Sequence, residues 1–113
     1  MKKITLADLA GVTESSLRDR YFRVVQEEAG KVVYLWMYHD NVVTYCGYFS
    51  IYDTPLVNKL GKSNCCSFIK DLEEHLKVGT NFNSLLPQNA TREVFELTEL
   101  EYNKYIMAME MLR

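Results

Sequence analysis

The middle of the chain consists of apolar runs, in which aromatic and β-branched side chains alternate, separated by short polar breaks. Runs of this kind are typical of antiparallel strands joined by tight turns. The pattern therefore predicts a three-stranded meander with strands at about 21–28, 31–38 and 42–52. Because apolar residues fall on both faces of the second and third strands, we expect the sheet to be covered on both sides.

Two short helices are predicted before the meander. Thr5 can cap the first helix, which ends near Gly11. Thr13 can cap the second, with Glu14 in its first turn. Together these helices would form an αα-corner at one end of the sheet.

Helical signals return after the meander. Pro55 suits the first turn of a short helix at 56–60. Ser63 or Asn64 can cap a longer helix, which Gly79 closes. The longer helix has a single apolar stripe, which consists of Cys65, Phe68, Ile69, Leu72 and Leu76. It is therefore predicted to pack on one face of the sheet.

The C-terminal helix follows a segment at 92–97 with strand character, and its start has the clearest local signal. Thr98 and Glu101 are spaced as a capping box. The main apolar stripe of the helix consists of Tyr102, Tyr105, Ile106, Met109 and Leu112. Three further residues widen this stripe to more than half the circumference: Leu100, Met107 and Met111. A helix this apolar should be covered on more than one side, by its own sheet or by a second subunit or partner.

These elements predict a single α+β domain over residues 1–113. The expected architecture is a three- to four-stranded antiparallel meander packed with an amphipathic helix and a capped C-terminal helix, preceded by a short N-terminal αα-corner. A chain of 113 residues is long enough to bury about two-thirds of its unfolded surface in one core.

Composition and charge narrow the possible classes of function. The formal net charge is −2 and the pI is near 5.7, whereas most nucleic-acid-binding domains are basic, so a nucleic-acid partner is not expected. No apolar run is long enough to span a bilayer, and Asp8 interrupts the apolar region that a signal peptide would need. The three cysteines are odd in number and two are adjacent, which favours reduced thiols and a cytoplasmic location.

The cysteines and histidines show no spacing typical of a catalytic or metal site. The sequence has no CxxC, no HxxxH and no Gly-rich phosphate loop. Cys65 or Cys66 could lie at a helix N-terminus, where the dipole lowers a thiol pKa, but His75 is more than two helical turns away. We therefore expect no catalytic residue, no metal and no cofactor, and a cysteine-dependent enzyme is the least supported alternative.

The N-terminal segment resembles the helix-turn-helix of bacterial repressors. The positions where that motif has small, glycine, aliphatic or capping residues are filled by Ala7, Ala10, Gly11, Val12, Thr13 and Leu17. By this resemblance, Ser15, Ser16 and Arg18 would contact the DNA major groove. The sequence departs from the motif at Arg20, where an aliphatic residue is usual, and no third helix is predicted to follow.

The aromatic and methionine content favours a protein-binding function, because these residue types are enriched at the centres of interfaces. We expect a non-catalytic interaction protein, for instance a regulatory or accessory protein of a bacterium, phage or mobile element, with a protein partner or a second copy of itself. The candidate contact residues are Tyr34, Trp36, Tyr38, Tyr45 and Tyr48 on the sheet, and Tyr105 and Met109 on the C-terminal helix. A DNA-binding regulator that uses residues 4–18 is the alternative.

Overall fold

The computed structural model describes residues 1–51, 54–80 and 89–111, and gives the backbone alone at 48–51, 54–60, 79 and 80. Within these residues the strands are β1 (Lys2–Ile4), β2 (Tyr21–Glu28), β3 (Lys31–His39), β4 (Val42–Ile51), β5 (Thr54–Asn64) and β6 (Ala90–Leu97). The helices are α1 (Glu14–Leu17), α2 (Phe68–Thr80) and α3 (Glu99–Met111), and a 3-10 turn spans Leu6–Leu9. All six strands belong to one antiparallel sheet in the order β1–β6–β2–β3–β4–β5.

The predicted meander is confirmed, with β2, β3 and β4 as consecutive neighbours at the centre of the sheet. Two-residue turns join these strands, and all four turn residues have positive φ: Ala29, Gly30, Asp40 and Asn41. Turns of this hand match the twist of the flanking strands and so allow tight hairpins. The strand predicted at 92–97 is confirmed as β6.

The helix predicted at 56–60 is wrong, because this segment belongs to β5 and pairs with β4 along its length. A five-residue helix is marginal in water, whereas a strand here satisfies the backbone edge that β4 would otherwise leave open. Pro55 is compatible with the start of such an edge strand. With β1 and β5 added, the sheet has six strands rather than the three or four predicted.

α2 begins later than predicted, because Ser63 and Asn64 are part of β5. The capping hydroxyl belongs instead to Ser67, which accepts a hydrogen bond from the amide of Lys70 at 3.3 Å. The helix also runs past Gly79 to Thr80. Residues 81–88 and Leu112 lie outside the described residues. Among the residues described, no helix is long and apolar enough to cross a membrane.

α2 covers one face of the sheet, which we call the α2 face. The rings of Phe22 in β2 and Phe68 in α2 meet edge to face, with centroids 5.6 Å apart. The buried apolar residues around them are Ile4, Leu9, Leu17, Val24, Tyr38, Val43, Leu72, Leu76 and Val94. This cluster joins the N-terminal turns, the sheet and α2 into the larger of the two cores.

α3 covers the opposite face, which we call the α3 face. The predicted capping box is confirmed: the Thr98 amide donates to Glu101 at 3.0 Å, and the Glu101 amide donates to the Thr98 hydroxyl at 3.2 Å. The second core lies beneath this helix and contains Val25, Leu35, Met37, Cys46, Leu97 and Met109. The expectation that both faces of the aromatic hairpin need cover is therefore confirmed within a single chain.

The predicted N-terminal corner is present as two single turns, the 3-10 turn and α1. Thr13 caps α1 by accepting from the Ser16 amide at 3.2 Å, as predicted. The Glu14 carboxylate accepts from the amide of Phe68 and, at 3.2 Å, from that of Ile69. These amides are in the first turn of α2, where a carboxylate satisfies free donors and complements the helix dipole. Glu14 therefore fixes the start of α2 against α1.

We predict that Glu14→Ala lowers the free energy of unfolding by about 1–2 kcal/mol, because it removes the carboxylate that accepts from the Phe68 and Ile69 amides. Glu14→Gln should lose less, since its amide oxygen can still accept one bond. Urea denaturation followed by far-UV circular dichroism measures both effects. Asp19→Ala, which removes an exposed carboxylate near α1, is the control. Equal midpoints for Glu14→Ala and Asp19→Ala would show that the cap contributes nothing.

Candidate interaction surfaces

α3 is apolar on two opposite sides. The residues on its inner side pack on the α3 face of the sheet: Tyr102, Tyr105, Ile106 and Met109. The outer side has three large apolar residues, which are 66 %, 63 % and 82 % exposed: Leu100, Met107 and Met111. At about 100° per residue, these three positions form a narrow stripe opposite Met109, which is 1 % exposed. We call Leu100, Met107 and Met111 the outer stripe.

Contacts on the inner side hold α3 in position. The Arg23 guanidinium lies 4.3 Å from the centroid of the Tyr105 ring. The Tyr102 ring lies 5.0 Å from that of Tyr21. The amino group of the N-terminus pairs with Glu101 at 3.0 Å. The outer stripe is therefore displayed by a helix that is docked along its length.

The two helix residues predicted as partner contacts both lie on the inner side. Met109 is part of the core, and Tyr105 is half-buried beneath Arg23. Met109 therefore offers no free area to a partner in this fold, and Tyr105 offers only part of its surface. The sequence predicts one wide apolar surface that also includes Leu100, Met107 and Met111. These three residues lie about half a turn around the helix from Met109. Periodicity alone could have separated Met107 from Met109.

Two of the four sheet tyrosines predicted as contacts pack within the chain. Tyr38 is 2 % exposed, and its ring lies 5.4 Å from that of Phe68. Tyr45 is half-buried, and its ring occupies the space above Gly61, where a Cβ would lie 2.6 Å from it. Tyr34 is 46 % exposed. The side chain of Tyr48 lies outside the described part of the chain.

Trp36, another predicted contact residue, is the centre of a stack on the α2 face. The Arg92 guanidinium lies 4.9 Å from the Trp36 ring centroid, and the His75 ring lies 4.7 Å from it. Tyr34 lies 5.7 Å away on the same strand. Such cation–π and aromatic contacts stabilise the sheet where α2 packs on it. Trp36 therefore already has partners within its own chain.

A line of hydrogen bonds runs between α2 and the sheet through what we call the polar cluster: Tyr38, Cys65, Asp71, His75 and Arg92. Arginine can only donate, so its 3.3 Å contact makes Nδ1 of His75 an acceptor. Nε2 of His75 then carries the ring proton and donates to the Tyr38 oxygen at 2.9 Å. The Tyr38 hydroxyl faces Asp71 at 3.5 Å, and the Cys65 thiol bonds the same carboxylate. The donor role of Arg92 therefore determines which groups donate and which accept along these hydrogen bonds.

Sequence spacing could not reveal this cluster, because its members come from four parts of the chain: β3, the segment before α2, α2 itself and β6. Cys65 precedes α2 and lies ten residues before His75, a spacing that predicts no direct contact. They are linked through Asp71 and Tyr38, and the tyrosine comes from a distant strand.

The electrostatics of the polar cluster differ from those of an activated nucleophile. Burial and the neighbouring Asp71 raise the pKa of the Cys65 thiol to about 11, whereas a reactive cysteine needs a lowered pKa. Burial also raises the pKa of the Tyr38 phenol. A cavity of about 180 Å³ adjoins the cluster, but the buried polar groups that line it already bond one another. The arrangement favours a structural role, aligning α2 on the sheet.

The residues of the DNA-binding alternative make local contacts. Ser16 donates to the Thr13 carbonyl at 2.9 Å, and Ser15 contacts the Thr13 hydroxyl at 3.3 Å. When the amide oxygen of Asn41 faces Arg18, it accepts two hydrogen bonds from the guanidinium, at 3.1 and 3.0 Å. α1 has four residues, one turn, and its Glu14 is engaged by α2. These contacts favour a packing role for the N-terminal corner.

We predict that the free energy of unfolding falls as the pH is lowered from about 6.5 to about 4, because His75 becomes protonated. Burial, with the Arg92 charge beside it, lowers the pKa of His75 from 6.5 to about 4. The folded state therefore resists protonation, so stability is complete above pH 6.5 and is lost as the pH falls towards 4, by about 3 kcal/mol. Asp71 acts in the opposite direction at the acid end, because burial raises its pKa. Two further titratable groups lie near His75. Tyr38 stays neutral because burial raises its pKa, and Glu74 lines the cavity beside the polar cluster.

The measurement is urea denaturation of the wild type and His75→Gln across this pH range. The glutamine cannot be protonated, yet its amide can accept from Arg92 and donate to Tyr38. Its stability should therefore vary less with pH. Parallel pH profiles for the two proteins would contradict a role for His75.

Comparison with known proteins gives no family for this chain. No protein-family model, curated protein or solved structure matches it. A function must therefore be argued from the surfaces themselves. Packing among the residues that the structure describes does not explain the apolar side chains of the outer stripe.

Proposed function

We propose that this chain is a non-catalytic protein-interaction protein, of a regulatory or accessory kind, which binds a protein through the outer stripe of α3. The observation that carries the proposal is the exposure of Leu100, Met107 and Met111 on the side of α3 that faces away from the sheet. Clustered apolar side chains on a protein surface typically mark an interaction site.

Helix formation does not require apolar residues at these positions. Glutamate, lysine and glutamine have helix propensities close to those of leucine and methionine. The sheet does not require them either, because the inner side of α3 already covers the α3 face. Packing among the described residues therefore does not account for the apolar character of the outer stripe.

The residue types on the outer stripe suit a binding surface. Methionine is unbranched and flexible, so it can adapt to the shape of a partner. Burying a leucine or methionine side chain contributes roughly 1.5–3 kcal/mol. Because α3 is already docked on the sheet, binding does not need to order the helix, which lowers its entropic cost.

Other surfaces support this function less well. Tyr34 is the one predicted sheet contact with a strongly exposed side chain among those described, and Trp36 and Tyr45 are half-buried. In the DNA-binding alternative, Ser15, Ser16 and Arg18 would contact the groove, but all three make hydrogen bonds within the chain. The outer stripe therefore remains the best-supported binding surface.

We predict that Met107→Glu and Met109→Glu have opposite effects, although the residues are two positions apart. Met107→Glu should leave the fold intact and abolish binding, because its side chain is on the outer stripe. Met109→Glu should unfold the protein or lower its stability by several kcal/mol, because it buries a charge in the core. Circular dichroism and thermal melting measure the fold. Chemical cross-linking of the tagged protein in host extract measures binding, to a second copy or to another protein.

Lys70→Gln is the matched control, since it changes the net charge by the same amount at an exposed position on α2. It should bind like the wild type. If the wild type, Lys70→Gln and Met107→Glu give the same cross-linked species, the outer stripe is not the binding surface.

A further inference from the structure

We infer that the partner of the outer stripe is a second copy of this chain, with the two α3 helices packed antiparallel. This inference rests on the proposed function and names the occupant of the same surface. Its basis is the spacing of the exposed residues, which is seven from Leu100 to Met107 and four from Met107 to Met111. This is the spacing of two-helix packing, in which apolar positions alternate by three and four residues. The missing position of the repeat is Lys104, which is exposed on the same side.

An antiparallel arrangement makes this pattern complementary to itself. With a two-fold axis between Lys104 and Met107, Leu100 of each copy lies opposite Met111 of the other. Met107 then lies opposite the Lys104 stem of the other copy. A closed two-fold contact of this kind uses the same surface on both subunits.

Charge distinguishes the antiparallel pair from a parallel one. In a parallel pair Lys104 of one copy would lie opposite Lys104 of the other at the centre of the contact. The two ammonium groups would then repel each other. In the antiparallel pair the aliphatic stem of Lys104 packs on Met107, while its ammonium group reaches water at the rim. Ala108, exposed beside the stripe, leaves room for the incoming lysine.

The length of α3 sets the expected strength of the contact. The thirteen residues of α3 extend about 20 Å, so each helix has room for nearly two seven-residue repeats. Such an interface is at the small end of specific protein interfaces. The structure therefore suggests a dimer that forms and dissociates with protein concentration rather than a permanent one.

Cysteine cross-linking tests both the partner and the orientation. The background is Cys65→Ser with Cys66→Ser, in which a serine hydroxyl can still donate to Asp71. Leu100→Cys and Met111→Cys are made separately, carry different tags and are oxidised alone and as a mixture. Antiparallel packing predicts a disulfide-linked dimer in the mixture and little in either variant alone, since residue 100 of one copy is far from residue 100 of the other.

Two results would overturn the inference. Efficient linking of Leu100→Cys with itself indicates parallel packing, and no linking in any sample indicates that no such dimer forms. Sedimentation over roughly a hundredfold range of concentration supplies an independent readout. The dimer dissociation constant should rise at least about tenfold in Met107→Glu and stay unchanged in Lys70→Gln.

The outcome for the dimer can be separated from that for the proposed function. If the wild type stays monomeric but Met107→Glu still abolishes cross-linking to another protein in host extract, the second copy is the wrong occupant and the binding surface stands. If Met107→Glu changes neither self-association nor capture, both proposals fail.

Discussion

The aromatic hairpin of β3 and β4 has apolar side chains on both faces, and most of the fold follows from burying both of them. Because side chains alternate along a strand, Tyr38 lies on the α2 face, whereas Leu35 and Met37 lie on the α3 face. Leaving either face in water would expose a large apolar surface. Each covering helix begins at a specific cap: Glu14 at the start of α2, and the capping box at the start of α3. The polar cluster adds a directed line of hydrogen bonds on the α2 side.

The two covering helices have the same length but different outer sides. Both have 13 residues. The solvent side of α2 has charged residues such as Lys70, Glu74 and Lys77, as expected for a helix that only covers a core. The corresponding side of α3 has the outer stripe. This contrast within one fold, with helices in similar positions, is the reason for placing the binding surface on α3.

Features set by neighbouring residues could be predicted from the sequence, and features set by distant contacts could not. The meander and the capping box of α3 depend on residues a few positions apart, and both were predicted correctly. The segment 56–60 was not, because pairing with β4 decides its structure rather than its own propensity. The polar cluster needs Tyr38, Asp71 and Arg92 to be brought together by the fold. For the proposed binding surface, apolar content indicated α3, but the predicted residue Met109 is on the buried side of that helix.

α3 covers the sheet with one side and has a second apolar side that we propose for a partner. Methionine oxidation by dilute peroxide, followed by mass spectrometry of the native protein, tests this most directly, because oxidation rates follow exposure. The protein has methionines on both sides of the helix and in the sheet core. The account predicts rapid oxidation of Met107 and Met111 in dilute protein and slow oxidation of Met37 and Met109, with Met107 becoming protected at high protein concentration. Oxidation of Met109 at the same rate as Met107 would contradict the account.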